Sequence, residues 1–427
     1  MGKDSLKTEY LIIGSSHAGL AAADEIRMND DAGSLTMVTM EDLLPYSPTV
    51  LPYIISGKVS VSQINLRDAE YFKAQRIDFV KGKAVTRVDP ETREAIQSDG
   101  SRILYEKLLI ATGAEPTVPR VENLDHVPFL KLRTMADALR HLDVIPRARS
   151  AIVAGTGLVG MHAAENFVHR GMHVDVIRAR ARKNPRILPN YFDEECSGMI
   201  QEVFESYGVN FYLTDHVIRV TYQEGEFTAT LSSGKTLRAG MLLVCTGIRP
   251  RMEFLSNSSV KIDEGILVDR KMRTSVDQIW AAGDVAQAED FFGPSKILNA
   301  ILPDAVLQGK IAGADMSGGR LDSDYVGGIS MNTFNFFGNR AFSIGVNDSE
   351  NGEKYRIEKA VLPSGNVYQK MVFQGNVLVG MTAINSNLDP GIIMNLIRGR
   401  VDLEEGCPEF VGNPFNVSRR LMWKLWR

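Results

Sequence analysis

The feature that most constrains this 427-residue chain is a duplicated pattern of strand, glycine-rich turn and helix. Residues 10–27 read YLIIGSSHAGLAAADEIR and residues 151–167 read AIVAGTGLVGMHAAENF, so both pass from an apolar run through small residues into a helix-forming segment. Two later apolar runs that end in Thr-Gly also match each other, at residues 107–116 and 241–250. A strand, turn and helix with a closing strand is typical of a dinucleotide-binding unit. The sequence therefore predicts an α/β fold that contains two such units.

The glycine spacing in the two turns suits a pyrophosphate group. A parallel strand that ends at glycine and continues as a helix directs unpaired backbone N–H groups and the positive end of the helix dipole at one point. The second unit has the complete G-x-G-x-x-G spacing, at Gly155, Gly157 and Gly160. The first unit has Gly14 and Gly19 at the outer positions, with Ser16 in place of the middle glycine. Two copies with matching closing strands favour nucleotide binding over a purely structural turn.

Length and composition limit the classes of protein to be considered. A chain of 427 residues is too long for one hydrophobic core and predicts about two to four domains. The net charge of −4 and the charged fraction of 23% provide no general attraction for nucleic acid or an acidic membrane. The chain opens with the polar residues MGKDSLKTE, and no run approaches the roughly 18 apolar residues of a spanning helix. We therefore expect a cytoplasmic protein without nucleic acid or a membrane span.

The order of the motifs predicts three domains. From about Tyr325 the sequence changes to short β-rich pieces separated by Gly and Asn, which indicates a C-terminal α+β domain. We assign residues 325–427 to this C-terminal domain. No low-complexity linker separates the three domains, so we expect the domains to pack together.

The three cysteines, Cys196, Cys245 and Cys407, are far apart in the sequence, and none belongs to a C-x-x-C motif. An iron–sulfur cluster needs about four organised thiolates, so the chain is not expected to hold a cluster, and no other metal site is expected. We interpret all three cysteines as isolated buried thiols rather than redox-active groups.

The order of five motifs, GSSHAGL, LLIATGAEP, GTGLVGMHAAE, LLVCTGIRP and IWAAGDVA, resembles that of the FAD-containing pyridine nucleotide-disulfide oxidoreductases over nearly the whole chain. The resemblance implies that residues 1–116 and 246–324 form a discontinuous Rossmann-like domain that binds FAD. It also implies that an inserted Rossmann-like domain of residues 117–245 binds NAD(P), and that the C-terminal domain forms an interface. It implies FAD contacts at Gly14, Ser16, His17, Ala18, Gly19, Val85, Ala111, Thr112, Gly113 and Asp284. It implies NAD(P) contacts at Gly155, Gly157, Leu158, Val159, Gly160 and Gly247.

Two of these residues receive particular roles from the resemblance. Val85 would contact the adenine, and Asp284 would hydrogen-bond a ribityl hydroxyl of the flavin. The alternative for Asp284 is a carboxylate that caps a helix after Gly283.

The segment LPYSPTVLPYIISGK, residues 44–58, contains the most unusual position. With GSSHAG it resembles the branch of NADH oxidases, NADH peroxidases and coenzyme A-disulfide reductases, in which a catalytic cysteine stands where this chain has Thr49. A hydroxyl cannot form a sulfenic acid or a mixed disulfide, whereas hydride exchange between nicotinamide and flavin needs no cysteine. We therefore expect electrons to leave by a route without sulfur, and we take His17 and Thr49 as the candidate catalytic residues. His17 either donates a hydrogen bond near the flavin or caps the helix turn that carries it.

Three further positions depart from the family pattern. His162 stands where many relatives have Glu beside the nicotinamide, and it either packs in the core or contacts the ring. Strand alignment places the acidic ribose ligand of the first domain at Thr39, so Glu41 is the best substitute, because strand side chains repeat with period two. In the second domain the acid is replaced by Arg178, which suits a 2′-phosphate unless it belongs to a solvated basic loop.

A narrower resemblance concerns IIGSSHAGLAAADEIRM, LPYSPTVLPYIISGK and YEKLLIATGAEP, which are similar to the flavoprotein subunits of multisubunit phenylglyoxylate and tungsten-dependent aldehyde oxidoreductases. In such complexes another subunit oxidises the substrate, and electrons cross iron–sulfur clusters to FAD and then NAD. The resemblance implies an iron–sulfur partner subunit and a catalytic subunit. One alternative is a freestanding NAD(P)H oxidase or ferredoxin-type reductase. Another is a flavin-binding structural subunit that never uses nicotinamide.

The C-terminal segment FVGNPFNVSRRLMWKLWR has no acidic residue and mixes basic with large apolar side chains. Arginine and tryptophan commonly anchor protein interfaces, so we expect this tail to help hold the iron–sulfur subunit. One alternative is a tail folded back on its own domain. Another is a membrane-surface helix, which would be short for stable anchoring without a lipid.

Overall fold

The computed structural model describes residues 5–178, 185–321, 324–347, 354–361, 366–403 and 407–425. The chain divides into two compact units. The first consists of Met1–Val50, Gly57–Glu115 and Ile248–Gly328, and the second of Leu51–Ser56, Pro116–Gly247 and Ile329–Arg427. The second unit contains nearly all the residues expected to form the inserted and C-terminal domains, together with Leu51–Ser56, which were expected in the first domain. The finer three-domain division stays a prediction.

The described residues form both α-helices and β-strands. The α-helices, in chain order, are α1 (His17–Asn29), α2 (Leu51–Ser56), α3 (Ala69–Ala74), α4 (Met135–Val144), α5 (Leu158–His169), α6 (Glu194–Ser206), α7 (Leu302–Ser317), α8 (Pro390–Arg398), α9 (Cys407–Gly412) and α10 (Pro414–Leu425). The strands are β1 (Leu6–Ile13), β2 (Leu35–Val38), β3 (Ile77–Val80), β4 (Val85–Asp89), β5 (Glu94–Gln97), β6 (Arg102–Ile110), β7 (Ala114–Pro116), β8 (Ser150–Ala154), β9 (His173–Arg178), β10 (Val209–Gln223), β11 (Glu226–Leu231), β12 (Thr236–Ala239), β13 (Met241–Val244), β14 (Ile248–Pro250), β15 (Ile266–Leu267), β16 (Ile279–Ala281), β17 (Ala286–Glu289), β18 (Lys296–Leu298), β19 (Met331–Phe336), β20 (Asn339–Gly345), β21 (Arg356–Val361), β22 (Tyr368–Gln374) and β23 (Val377–Ile384). Short 3₁₀ turns cover Pro48–Val50, Val61–Gln63, Leu124–His126 and Glu253–Leu255.

The main sheet of the first unit has the parallel strand order β3-β2-β1-β6, and β16 also pairs with β6 in parallel. Strands β5 and β4 extend it in antiparallel fashion. The register pairs Ile13 with both Val38 and Ile110, and Ile110 with Ala281, so four strands end at one edge. Ligands of open parallel sheets bind outside that edge.

Helix α1 is rich in alanine because it packs closely on helix α7. A Cβ atom on Gly309 would overlap the carbonyl oxygen of Ala18, and one on Gly313 would lie 2.5 Å from the carbonyl oxygen of Ala22. Ala22 itself is fully buried. Small residues on both helices therefore let the two backbones approach closely, which holds α1 in place over the sheet.

The second unit repeats this architecture. Its first sheet has the order β12-β11-β10-β9-β8-β13, in which β10, β9, β8 and β13 are parallel and β11 and β12 are antiparallel. Ala154 pairs with both Ile177 and Val244, so three strands again end at one edge. The prediction of an α/β fold with two dinucleotide-binding sheets is confirmed.

The C-terminal part of the second unit is an antiparallel sheet of order β19-β20-β23-β22-β21, and helix α8 packs on β20 and β23. Helix α6 also contacts this sheet, through aromatic side chains. The ring centroid of Phe204 lies 5.0 Å from that of Phe337, and the ring of Tyr207 stacks on Phe337 at 4.0 Å. A buried ion pair joins Lys370 Nζ to Asp193 Oδ2 at 2.7 Å, which links β22 to the residue that caps α6.

No helix among the described residues is long and apolar enough to cross a membrane. The same residues contain no group of three or more His, Cys, Asp or Glu side chains arranged to hold a metal ion.

Candidate nucleotide-binding sites

The first glycine turn packs against the end of strand β6. Gly14 has a φ of +117°, and a Cβ atom at this position would overlap the carbonyl oxygen of Ala111. A Cβ atom on Gly19 would in turn overlap the carbonyl oxygen of Gly14. Only glycine meets both the positive φ and the close approach. The turn therefore brings the amino end of α1 directly to the carboxyl edge of the sheet.

The amino end of helix α1 is suited to an anion. Ser16 is the N-cap residue, its side chain makes no capping hydrogen bond, and the first turn contains no acidic residue. The first N–H groups of a helix have no partner within the helix, and the helix dipole adds positive potential there. Ser16 and Ala18 are therefore placed where a pyrophosphate could accept backbone hydrogen bonds.

A line of hydrogen-bonded side chains begins at the first residue of α1. His17 Nε2 lies 2.8 Å from Ser47 Oγ, and Ser47 Oγ lies 2.7 Å from Thr49 Oγ1. Burial lowers the pKa of His17, and the negative charge of Asp284 opposes that effect without cancelling it. The structure thus brings together the two predicted catalytic residues, His17 and Thr49, and adds Ser47 between them. The imidazole is directed to this hydroxyl, not to a cap of α1.

Asp284 lies in the turn between strands β16 and β17, so no helix follows it and the helix-cap alternative is wrong. The backbone N–H of Gly283 donates to Gln308 Oε1 on α7 at 2.8 Å. A Cβ atom on Gly283 would lie 3.2 Å from the Cβ atom of Ala18. Asp284 is therefore held beside the amino end of α1, and its contact with a ribityl hydroxyl stays a prediction.

The closing turn of the first unit is also braced. Thr112 Oγ1 donates to the carbonyl oxygen of Arg251 at 2.7 Å, and the Arg251 N–H donates to the carbonyl oxygen of Gly113 at 2.9 Å. These bonds tie Ala111, Thr112 and Gly113 to the chain as it returns to the first unit. Gly14 packs against the carbonyl group of Ala111 in this turn.

Glu41, the proposed ribose ligand, does not lie on a strand as the sequence pattern predicts. Strand β2 ends at Val38, so Thr39 and Glu41 lie beyond it and the period-two argument does not apply. Tyr46 OH lies 2.9 Å from each carboxylate oxygen of Glu41, which orients that carboxylate. Val85, the proposed adenine contact, is half-buried at the start of β4 and packs against the core of the first unit.

The second glycine turn has the same construction. Gly155 has a φ of +147°, and a Cβ atom there would overlap the carbonyl oxygen of Cys245. A Cβ atom on Gly160 would overlap the carbonyl oxygen of Gly155, whereas one on Gly157 would meet nothing within 4 Å. The space beside Gly157 is therefore open to a ligand. Helix α5 begins next with Leu158 and Val159, and its first turn carries no acidic residue.

Cys196 is buried and Cys245 is half-buried, and both thiols are inert in this arrangement. Cys245 Sγ lies beneath the second turn, 2.8 Å from the position of a Cβ on Gly155, and desolvation raises the pKa of Cys245 to about 12. Burial also raises the pKa of the Cys196 thiol. Neither thiol is a thiolate near neutral pH, which agrees with a structural interpretation. The side chain of Cys407 lies outside the described residues.

Arg178 is the last residue of β9 and is only 6% exposed, so it does not belong to a solvated loop. Its Nη1 donates to the carbonyl oxygen of Leu213 at 2.8 Å. Arg180 and Arg182 lie outside the described residues. The interpretation of Arg178 as a 2′-phosphate ligand stays a prediction.

Gly247 and His162 complete the predicted set in the second unit. The carbonyl oxygen of Gly247 accepts a hydrogen bond from the Thr117 N–H at 2.9 Å, at the end of the closing strand. The half-buried ring of His162 makes an edge contact with Phe334 at 4.8 Å between centroids. This contact corresponds to the first of the two predicted roles for His162, which is packing in the core.

The residues present fit two dinucleotides. Each unit combines a glycine turn that excludes a Cβ atom, a helix start without acidic side chains, and a braced closing turn. No motif in the sequence indicates Ser47, Tyr46 or Gln308, because their importance depends on the partners that the fold brings to them. A serine two residues before Thr49 was the one available signal.

Comparisons with known proteins agree with this geometry. The family model described as pyridine nucleotide-disulphide oxidoreductase matches residues 8–304, which include both glycine turns. The chain is 40% identical over 421 residues to the NADH-dependent phenylglyoxylate dehydrogenase subunit epsilon of Aromatoleum evansii, with 98% of both chains covered. It is 31% identical over 317 residues to an NADH oxidase of Methanocaldococcus jannaschii, with 72% of this chain and 70% of the relative covered. The structure of an NAD-dependent persulfide reductase from A. fulgidus has a TM-score of 0.84 at 26% identity, covering 93% of this chain and 78% of that chain.

Proposed function

The chain belongs to the pyridine nucleotide-disulphide oxidoreductase family, and on this premise we propose that it is an FAD-containing subunit that exchanges a hydride with NAD(P)H and passes electrons to or from an iron–sulfur partner. Its cofactors are FAD and a nicotinamide nucleotide. The full-length similarity to an NADH-dependent subunit of phenylglyoxylate dehydrogenase supports a role within a multisubunit complex. A separate catalytic subunit would then oxidise the organic substrate.

The observation that carries the proposal is the presence of hydroxyl groups at and beside position 49, where the related oxidases and reductases have a catalytic cysteine. Thr49 is joined through Ser47 to His17, and all three side chains lack a thiol. Cys196 and Cys245 have raised thiol pKa values. Disulfide and peroxide reduction through a thiolate therefore have no support here, whereas transfer of single electrons to a partner needs none.

Bound FAD supplies the conversion between a two-electron hydride donor and one-electron acceptors. Within the protein, the turn at Gly14 and the amino end of α1 would hold the pyrophosphate of FAD. Asp284 would accept a hydrogen bond from a ribityl hydroxyl, and Glu41 would bind the adenosine ribose. The turn at Gly155 and the start of α5 would hold the nicotinamide nucleotide in the same way.

A second candidate is a freestanding NAD(P)H oxidase or ferredoxin-type reductase, which the similarity to an NADH oxidase favours. The two functions differ in the acceptor. An oxidase consumes oxygen at a rate close to its rate with artificial dyes, whereas an electron-transfer subunit reduces dyes far faster than oxygen.

The test uses the purified chain and the complex isolated from native cells. We expect the chain to contain one FAD and no iron, to reduce dyes with NADH, and to turn over little peroxide or disulfide. The native complex should contain iron and acid-labile sulfide in other subunits. Stoichiometric iron in the isolated chain, or rapid peroxide reduction by it, would contradict the proposal.

A further inference from the structure

The hydrogen-bonded line from His17 to Thr49 has one half-buried end and one exposed end. His17 is half-buried at the start of α1, Ser47 is also half-buried, and Thr49 is exposed. The two separations, 2.8 Å between His17 Nε2 and Ser47 Oγ and 2.7 Å between Ser47 Oγ and Thr49 Oγ1, are both normal for hydrogen bonds. Ser47 touches both neighbours and is therefore the connecting group.

The electron balance of the proposed function leaves one proton to be moved. NADH gives NAD⁺, two electrons and one proton when the electrons go singly to a one-electron acceptor. An iron–sulfur cluster takes electrons and no proton. The proton must therefore leave the site for solvent during electron transfer, or enter it from solvent when the flow is reversed.

We propose that His17, Ser47 and Thr49 form a proton relay, in which Ser47 passes the proton between His17 Nε2 and the exposed Thr49 hydroxyl. This inference rests on the proposed function, since it requires a one-electron acceptor of the iron–sulfur class. Outward transfer protonates the imidazole at its second nitrogen, and the imidazolium then releases its Nε2 proton to Ser47 Oγ. Ser47 then gives its own proton to Thr49 Oγ1, and Thr49 gives its proton to water.

The properties of the three groups suit this role. A hydroxyl is both donor and acceptor and keeps its proton at neutral pH, so it can pass one proton on as it receives another. The pKa of His17 is lowered by burial, so the imidazole is mainly neutral near pH 7 and ready to accept a proton. Asp284 is the charged group that acts on His17, and its negative charge stabilises the imidazolium that forms briefly.

The relay also gives a physical reason for threonine at position 49. A thiolate there would hold a negative charge and would attract and retain the proton on His17. Thr49 instead ends the line with a neutral, exposed hydroxyl that exchanges protons with water. The substitution that removes sulfur chemistry therefore also completes the relay.

The test compares Ser47→Ala with Ser47→Thr and with a matched control, Ser62→Ala. Ser62 is exposed in the same unit and also pairs with another hydroxyl, since its Oγ lies 2.9 Å from Ser60 Oγ. Rapid-mixing experiments on the FAD-loaded protein would measure flavin bleaching by NADH and, separately, recovery of flavin colour with ferricenium, a one-electron acceptor. We expect Ser47→Ala to slow colour recovery by about a hundredfold relative to bleaching, at the lower end of the range of proton-transfer contributions. Ser47→Thr should restore the rate and Ser62→Ala should leave it unchanged.

Two further measurements separate a relay from a merely structural role. The first is the rate of colour recovery in the double variant His17→Asn, Ser47→Ala. Because a relay interrupted at one residue is already inactive, the two substitutions should not slow recovery additively, and the double variant should match the slower single variant. The second measurement uses ¹⁵N-histidine spectra of the resting FAD-loaded protein, which has seven histidines. The Nε2 signal that disappears in His17→Asn belongs to His17. This signal should shift in Ser47→Ala and should not shift in Ser62→Ala.

The outcomes distinguish failure of the proposed function from failure of the relay alone. If wild-type protein is not re-oxidised by ferricenium, the proposed function fails and the relay fails with it. If wild-type protein is re-oxidised and Ser47→Ala recovers colour at the same rate, the relay alone is overturned. Additive effects of the two substitutions would also overturn it.

Discussion

At the scale of single residues, oxygen in place of sulfur at position 49 determines which reactions the site supports. The Thr49 hydroxyl lies next to Ser47 and, through it, to His17. A thiol in the same place would lie beside the Ser47 hydroxyl, whose O–H can donate a hydrogen bond that stabilises a thiolate. The neighbours of position 49 are therefore compatible with either chemistry, and the single atom decides.

The first prediction concerns this atom. Thr49→Cys should give measurable peroxide-dependent NADH oxidation, because a stabilised thiolate can form a sulfenic acid. Thr49→Ser, the control, keeps the hydroxyl and should give none. The measurement is NADH consumption with hydrogen peroxide under anaerobic conditions. Equal peroxide turnover by the wild type and Thr49→Cys would contradict the prediction.

A second residue-scale prediction concerns Arg178. If its charge attracts a 2′-phosphate, Arg178→Met should raise the KM for NADPH by about tenfold, equivalent to about 1.4 kcal/mol, and leave that for NADH unchanged. Arg178→Glu should weaken NADPH further by repulsion. Flavin reduction with both nucleotides measures this, and thermal melting controls for loss of the Arg178 bond to Leu213. Equal changes with both nucleotides would show that Arg178 has only a structural role.

At the scale of helices and strands, buried polar groups hold the site elements in place. Gln308 on α7 accepts from the Gly283 N–H and donates to Asp304 at 3.1 Å, and Asp304 also accepts from Tyr325 at 2.8 Å. Gln308 and Tyr325 are each 1% exposed. This network positions the turn that carries the proposed flavin ligand, although it contains no motif.

The prediction from this network is that Gln308→Leu weakens FAD binding. The Gly283 N–H loses its acceptor and Asp304 loses one donor, each costing about 1–3 kcal/mol when buried. Equilibrium FAD titration and FAD content after gel filtration measure the effect. Gln201→Leu is the control, because Gln201 also makes a helical side-chain bond, to Glu205 at 2.7 Å, but does so at the surface. Unchanged FAD affinity in Gln308→Leu would argue against a positioning role.

A prediction about pH follows from the buried pair between α6 and β22. Burial raises the pKa of Asp193, but bonds from Lys370, the Cys196 N–H and Tyr368 outweigh it, so the folded pKa lies below the ordinary value. The stabilisation is therefore present above the unfolded pKa of about 3.9 and is lost as the pH falls toward the folded value. Acid unfolding should depend on this group.

Lys370→Met should cost about 3–5 kcal/mol of unfolding free energy near neutral pH, because it leaves the Asp193 charge buried without its cation. It should also flatten the dependence of stability on acid pH. The control is Lys359→Met, whose ion pair with Glu195 is about half exposed and should be worth about 0–1 kcal/mol. Urea unfolding at several pH values measures both, and similar losses in the two variants would refute the distinction.

At the scale of the whole molecule, the described part of the C-terminal tail folds as helix α10 and packs on α8 and α9. Val417 is buried, and Arg420 forms an ion pair with Glu409 at 2.6 Å. Phe415 and Arg419 are exposed, with the guanidinium 5.5 Å from the ring centroid. The first part of the tail is therefore folded back on its own unit. A role in partner binding stays a proposal for the exposed side chains and for the residues beyond Arg420.

The corresponding prediction is that deletion of residues 421–427 loosens the complex and preserves the chain itself. The deletion spares Val417 and the Arg420 ion pair, so FAD content and NADH-dependent dye reduction should remain at wild-type levels. Co-purification of the iron–sulfur subunit should fall, as measured by iron per FAD in the isolated complex. An unchanged ratio would exclude the tail as an anchor.

The sequence alone determined the α/β fold and the position of both glycine turns, because these depend on local contacts. A strand, a residue able to adopt positive φ and a helix start lie within a few positions of one another at Gly14 and again at Gly155. The two closing strands were also predicted from the matched apolar runs, whereas the close approach of the turns to Ala111 and Cys245 comes from the structure. Local steric requirements leave a pattern in the chain.

Only the tertiary structure decided which side chains meet across long distances in the chain. Ser47 bridges His17 and Thr49 because a loop after β2 returns to the start of α1. Gln308 reaches the turn before Asp284 because α7 packs on α1, and Glu41 meets Tyr46 in an irregular segment where no strand period operates. A single hydrogen bond between distant residues constrains only two side chains in a direction that the fold sets, so it leaves no periodic signal in the sequence.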